Sequence, residues 1–159
     1  MPLLCISLLA LLLLPLSLSC DSKRPTKEVR EDYRVIVQTV LNKTNEIIAT
    51  FLQSSSCPVL KHKLRDCTQD NADVVCTLHS LTCKMKTLSI SHTEGLVSSV
   101  LSSLQCSCLE KATKAPSVKT STVTRKRRSK QTKKLCKAKE ILSAMTNCYQ
   151  MLYTILPDT

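Results

Sequence analysis

Near the end of the chain, the stretch LCKAKEILSAMTNCYQMLYTIL carries Cys136 and Cys148, twelve positions apart. A thiol can crosslink, hold a metal or attack an electrophile, and spacing limits which of these it does. The stretch reads as one helix, with Leu135, Ala138, Leu142, Met145, Leu152 and Leu156 on one face and Ile141 and Ile155 flanking it. At about 1.5 Å rise per residue the two Cα atoms lie about 18 Å apart. A disulfide needs them within about 7 Å. Each thiol therefore reaches a different part of the molecule or stays free.

The chain holds ten cysteines in 159 residues. Cys5 lies in MPLLCISLLALLLLPLSLS, an opening run with no charged side chain. The run is short for a membrane span, and Ser17-Leu18-Ser19 gives the small-x-small pattern of signal-peptidase cleavage ahead of Cys20. Residues 1–19 thus read as a secretory signal peptide, and 20–159 as one secreted domain. No later run is apolar enough to insert stably in a membrane. Outside the cell, cysteines serve as crosslinks before they serve as metal ligands. The nine that follow the signal are odd in number, so at least one is free or pairs between molecules. Cleavage after Cys20 would leave eight.

Other chemistries find little footing. His62, His79 and His92 stand in no zinc or triad spacing, and the single Gly leaves no glycine-rich phosphate loop. No catalytic residue, metal or cofactor is expected. Cys106-Ser107-Cys108 resembles a chemokine motif, but chemokines carry theirs near the start of a shorter, strand-rich domain. The formal net charge of +11 favours acidic partners, which for a secreted chain means sulfated glycans or acidic receptor faces rather than nucleic acid.

Four helices must position these groups. Over 28–53, Tyr33, Val37, Val40, Thr44, Ile47 and Phe51 recur at helical spacing, with Ile36, Leu41, Ile48 and Leu52 widening the stripe. Over 71–88, Val74, Val75, Leu78, Leu81, Met85 and Leu88 repeat it, with Asp70 or Asn71 as the N-cap. Ser91-x-x-Glu94 predicts a capping box opening a third helix over 93–109, and the fourth runs over 132–156. The links take about 16, four and 20 residues. A four-residue link joins antiparallel neighbours, whereas the long links can run back along a bundle. Long, short, long predicts an all-α, up-up-down-down four-helix bundle of the short-chain cytokine kind, crosslinked by disulfides. An up-down-up-down bundle with loose loops is the alternative.

On the 71–88 wheel Cys76 and Cys83 point well away from the apolar stripe. Continued to 109, the third helix puts Cys108 on its apolar side and Cys106 opposite. By height Cys76 can reach Cys106 or Cys108. Cys83 lies level with residue 98, where no cysteine stands, and is the candidate odd thiol.

Cys20 ahead of the first helix, Ser-Ser-Ser-Cys57 ending it, Asp66-Cys67 in the crossover, Leu104-Gln105-Cys106 and KKLCKAKEILSAMTNCYQMLYTIL resemble the interleukin-7 and thymic stromal lymphopoietin family of cytokines. The spacing of Cys136 and Cys148 favours the interleukin-7 branch. The resemblance implies disulfides Cys57–Cys136 and Cys67–Cys148, and one from Cys20 to Cys106 or Cys108. Cys76, Cys83 and Cys108 are additions to that pattern. It further implies a monomer that bridges an interleukin-7 receptor alpha-like chain and the common gamma chain to drive lymphocyte growth and survival. Thymic stromal lymphopoietin-like and interleukin-4/13-like cytokines are the nearest alternatives, and a cationic membrane-active effector is one of another class.

For receptor contact the candidates are Val35 and Thr39, on the polar face with Asn42 and Glu46, and Tyr149, where the family carries an aromatic for the gamma chain; the wheel sets Tyr149 near the core edge, so core packing is its other reading. Asn42-Lys43-Thr44 is the one glycosylation sequon. From Lys111 to Lys139 there are twelve Lys or Arg and no acid. Within the expected 111–131 loop, Arg125, Lys126, Arg127, Arg128 and Lys130 form a candidate heparan sulfate site, a furin-type Arg-x-Arg-Arg cleavage site, or a solvated, disordered stretch and no more.

Overall fold

A computed structural model describes residues 20, 24–59, 64, 67, 71–109 and 124–155. Its helices are α1 (Thr26–Asp32), α2 (Gln38–Leu52), α3 (Asn71–Leu88), α4 (Glu94–Leu104) and α5 (Thr124–Ile155). A π-helical segment, Tyr33–Val37, joins α1 to α2 with helical backbone on both sides, so the three pieces form one rod. The chain is all-α: no strand occurs among the described residues. The expected signal peptide over 1–19, the 111–123 part of the basic loop, Asp70 and Leu156 lie outside the described residues. No described helix is long and apolar enough to cross a membrane.

The first rod buries Val29, Tyr33, Val37, Leu41, Thr44, Ile48 and Leu52. The early steps are all four residues, and on an α-helix each drifts about 40° from the previous one. A π turn bonds i to i+5 and takes more residues per turn, so it absorbs that drift. The core stripe therefore centres on Leu41, Ile48 and Leu52. The predicted centre through Val40, Ile47 and Phe51 was displaced to one flank: Val40 and Ile47 are half-buried, and Phe51 is 52% exposed.

The α3 stripe buries all six residues expected of it, and Thr82 joins them because its hydroxyl donates to Leu78 O at 2.7 Å. Leu96, Val97, Val100 and Leu104 come from α4, and Leu135, Ala138, Ile141, Leu142, Met145, Tyr149 and Leu152 from α5. Each large apolar side chain taken fully from water contributes roughly 1.5–3 kcal/mol. α5 packs against α2 and α3, while α4 packs against α3, α2 and the π segment.

Three boundaries differ from expectation. α4 stops at Leu104, not 109, because Gln105 adopts left-handed backbone (φ 53°, ψ 37°) and the N–H of Cys106 turns back to Leu101 O. Ser91 and Glu94 form no capping box: Ser91–Thr93 is a 3₁₀ turn, and Thr93 donates its hydroxyl back to Ile90 O. α5 begins at Thr124 rather than 132. Arg, Lys and Gln are strong helix formers, and no Gly or Pro interrupts them there.

Several distant ends meet. Tyr33 lies on Tyr149. The Lys134 ammonium donates to Leu88 O at 3.0 Å, joining the end of α3 to the early part of α5. Arg24 clamps the start of the chain to the end of α4, donating to Glu28, Asp32 and Ser103 O.

Candidate functional site

Four disulfides frame the bundle: Cys20–Cys106, Cys57–Cys136, Cys67–Cys148 and Cys83–Cys108, with Cα separations of 5.6, 5.5, 5.3 and 5.6 Å. Cys136 and Cys148 thus reach two different points of the crossover between α2 and α3. Both are buried on α5 beside its apolar stripe. Cys20 takes Cys106, leaving Cys108 to Cys83.

Cys83 is therefore not the odd thiol; Cys76 is, free and exposed. A third helix running to 109 would leave no cysteine level with Cys83. Instead the left-handed Gln105 ends it, and the segment beyond runs beside α3, where Ser107 O lies 2.9 Å from His79 Nε2. Cys108 then arrives one turn farther along, at Cys83.

Tyr149 is fully buried, which corrects its assignment as a receptor-contact residue. Its ring stacks on Tyr33, and Tyr33 in turn meets Tyr153 edge-on with centroids 6.1 Å apart. Burial pushes the Tyr149 hydroxyl far above the ordinary tyrosine range, and burial raises Tyr33 as well. Only Tyr153 carries this cluster to the surface, with the Arg30 guanidinium 5.6 Å from its ring centre. Sequence reasoning missed Tyr153, although it stands one turn after Tyr149.

Val35 and Thr39 do face solvent. Val35 is 69% exposed and Ile36 beside it 52% exposed, both on the π segment. Next to them a groove of about 290 Å³ runs between the π segment and α4, lined by Asp32, Ile36, Val37 and the serines 98, 99, 102 and 103. Asn42 is exposed, but Thr44 of its sequon is buried and donates its hydroxyl to Val40 O at 2.7 Å. Glycan transfer to Asn42 would thus have to precede folding.

Arg127, Arg128 and Lys130 are exposed on the first turns of α5, not in a loop. The side chains of Arg125 and Lys126 lie outside the described residues. Helical backbone opposes the cleavage reading, since proteases favour exposed loop tips. It fixes these cations in place, and Lys133, Lys137 and Lys139 farther along the helix are exposed as well.

One further cluster is not evident from cysteine and histidine spacing alone. His79, Cys83 and Cys108 place their ligand atoms within 4.8 Å of one another. His79-x-x-x-Cys83 is a one-turn spacing, a signal present in the sequence, but the third member depended on where α4 ends.

No protein family, curated protein or solved structure matched the chain in comparison.

Proposed function

We propose that this chain is a secreted, monomeric, interleukin-7-like cytokine with up-up-down-down topology. The observation that carries the reading is the double attachment of the crossover to α5. Cys57 leaves α2 at the level of Cys136, and Cys67 meets Cys148, about 18 Å farther along the helix. A crossover of that length is what brings a second helix back to start beside the first. The contact of Leu88 with Lys134, and that of Tyr33 with Tyr149, fit the same arrangement.

Such a bundle works by presenting helix faces. In this reading Val35, Ile36 and Thr39, with the serine-lined groove beside α4, meet an interleukin-7 receptor alpha-like chain. The edge formed by α1 and the end of α5, where Tyr153 is exposed over the buried Arg30, meets the common gamma chain. Holding both chains together brings their cytoplasmic kinases into contact, with lymphocyte growth and survival as the result. The basic opening of α5 retains the protein on heparan sulfate through charge that salt would screen.

The test is binding of the oxidised protein to cells that express the two receptor chains, with kinase-pathway activation as readout. Saturable binding and activation that need both chains are expected. Binding that is unsaturable, or unchanged when either chain is omitted, would overturn the reading. Replacing Val35 and Ile36 by Asp should weaken alpha-chain binding by at least tenfold.

A further inference from the structure

Among the described residues, the Cys83–Cys108 bond is the disulfide with a histidine against it. His79 Nε2 lies 3.5 Å from Cys83 Sγ, and all three residues are half-buried. His79 and Cys83 stand one turn apart on α3, so a single helix face presents both. Cys108 comes from the segment past α4. In a tetrahedral zinc site, Zn–S near 2.3 Å and Zn–N near 2.05 Å put nitrogen and sulfur about 3.6 Å apart. The His79–Cys83 separation already has that length.

We propose that this cluster is a redox-gated zinc site, closed to metal while the disulfide stands and open once it is reduced. Two small thiols supply two electrons and two protons to the Cys83–Cys108 bond. The products are the Cys83 and Cys108 thiols and the disulfide of the reductant. Zn²⁺ then displaces both thiol protons to solvent and binds two thiolates and His79 Nε2, with water in the fourth position. For this the imidazole carries its proton on Nδ1 and gives up its contact with Ser107 O.

The bond is placed for such gating. It closes a separation of 25 residues, against 86, 79 and 81 for the other three. A shorter loop contributes least chain-entropy stabilisation, so opening this bond disturbs the fold least. The rods stay pinned by the rest. Cys76 is two turns from Cys83 along α3, about 10 Å, and remains outside the cluster.

The experiment uses the full secreted chain carrying Cys76→Ser. It is reduced partially with glutathione and cleared of reductant without air, and the opened bond is identified by alkylation and peptide mass. Cobalt(II) is the probe, displaced afterwards by zinc. Expected is first opening of Cys83–Cys108, followed by one cobalt per chain with a thiolate-to-cobalt absorption band. The oxidised chain shows no such band. Reduced His79→Ala, whose oxidised fold keeps all four disulfides, binds at least tenfold more weakly. Cys83→Ser with Cys108→Ser, treated alike, shows no band. The proposal fails if another bond opens first, if the reduced chain gives no band, or if His79→Ala binds cobalt as tightly as the parent.

Discussion

The ring of Tyr33 lies flat on the ring of Tyr149, with centroids 4.2 Å apart and planes 15° from parallel. Tyr33 opens the π segment and Tyr149 sits next to Cys148, so the stack joins the one irregular turn of the first rod to the disulfide-anchored part of the last. Aromatic pairs of this kind contribute about 0.5–1.5 kcal/mol beyond the area they bury.

Tyr149→Ala should cost about 3–5 kcal/mol, as large aromatic truncations in a core do. Tyr149→Phe should change stability by no more than about 1 kcal/mol, in either direction. Its hydroxyl is buried and finds no hydrogen-bond partner among the described residues, so little is lost with it. Urea midpoints of the two variants check this, and an Ala variant as stable as the parent would refute the buried position.

The same burial sets a pH dependence. Tyr149 and Tyr33 are held protonated above the ordinary value, which is about 10 for a free tyrosine. Above that pH the unfolded chain has released protons that the folded chain keeps, so stability falls as pH rises. Below it both states are protonated and these groups give no slope. Denaturation midpoints in a Cys76→Ser background should decline from about pH 10 upward, less steeply when Tyr149 is Phe. A flat profile would contradict the assignment.

Gln105→Gly should stabilise the protein by up to about 1 kcal/mol. A left-handed residue with a side chain costs about 1–2 kcal/mol, and glycine's extra freedom in the unfolded chain offsets part of the gain. The position is exposed and its φ is 53°. Thermal melting that moves downward would show that the Gln side chain contributes more than its backbone strain removes.

Replacing Cys57 and Cys136 together by Ser should cost about 4–5 kcal/mol in the chain-entropy description, since the loop spans 79 residues. Non-reducing peptide maps should still show the other three disulfides. A map in which Cys148 changes partner would mean that the crossover is not held independently at its two points.

Arg127→Ala, Arg128→Ala and Lys130→Ala combined should lower the salt needed to elute the protein from heparin and leave its melting temperature nearly unchanged. All three are exposed, and exposed charges contribute little to folding stability. Unchanged elution would move the glycan site elsewhere.

The helices were legible because their stripes repeat at helical spacing, and the α3 stripe matches residue for residue. The first rod was read one flank off because a straight α wheel cannot show a π turn. Nothing in YRVIV announces one, since the extra residue is settled by packing of Tyr33 and Val37 against the other rods. The fate of Cys83 turned on Gln105. A glycine there would have advertised the helix end, but a glutamine in left-handed backbone gave no such mark. Tyr149 was ambiguous on the wheel because its core face is completed by Tyr33, a contact between residues far apart in sequence. The length of α5 was underestimated because a run of like charges reads as a solvated loop, although its residue types favour helix.

The π segment has a consequence for insertions and deletions. It holds one residue beyond what an α turn would take, so the aim of everything before it depends on residue count. Deleting any one residue from 33–37 would let the rod close into uninterrupted α-helix with Val29 eleven positions from Leu41, about 20° off three full turns, so the upstream part would keep its aim. Adding a residue there would instead swing that part by about 100°: Val29 would leave the core, Arg24 would lose Ser103, and Cys20 would face away from Cys106. A substitution or a deletion in this turn can be absorbed locally; an insertion is felt at the beginning of the domain.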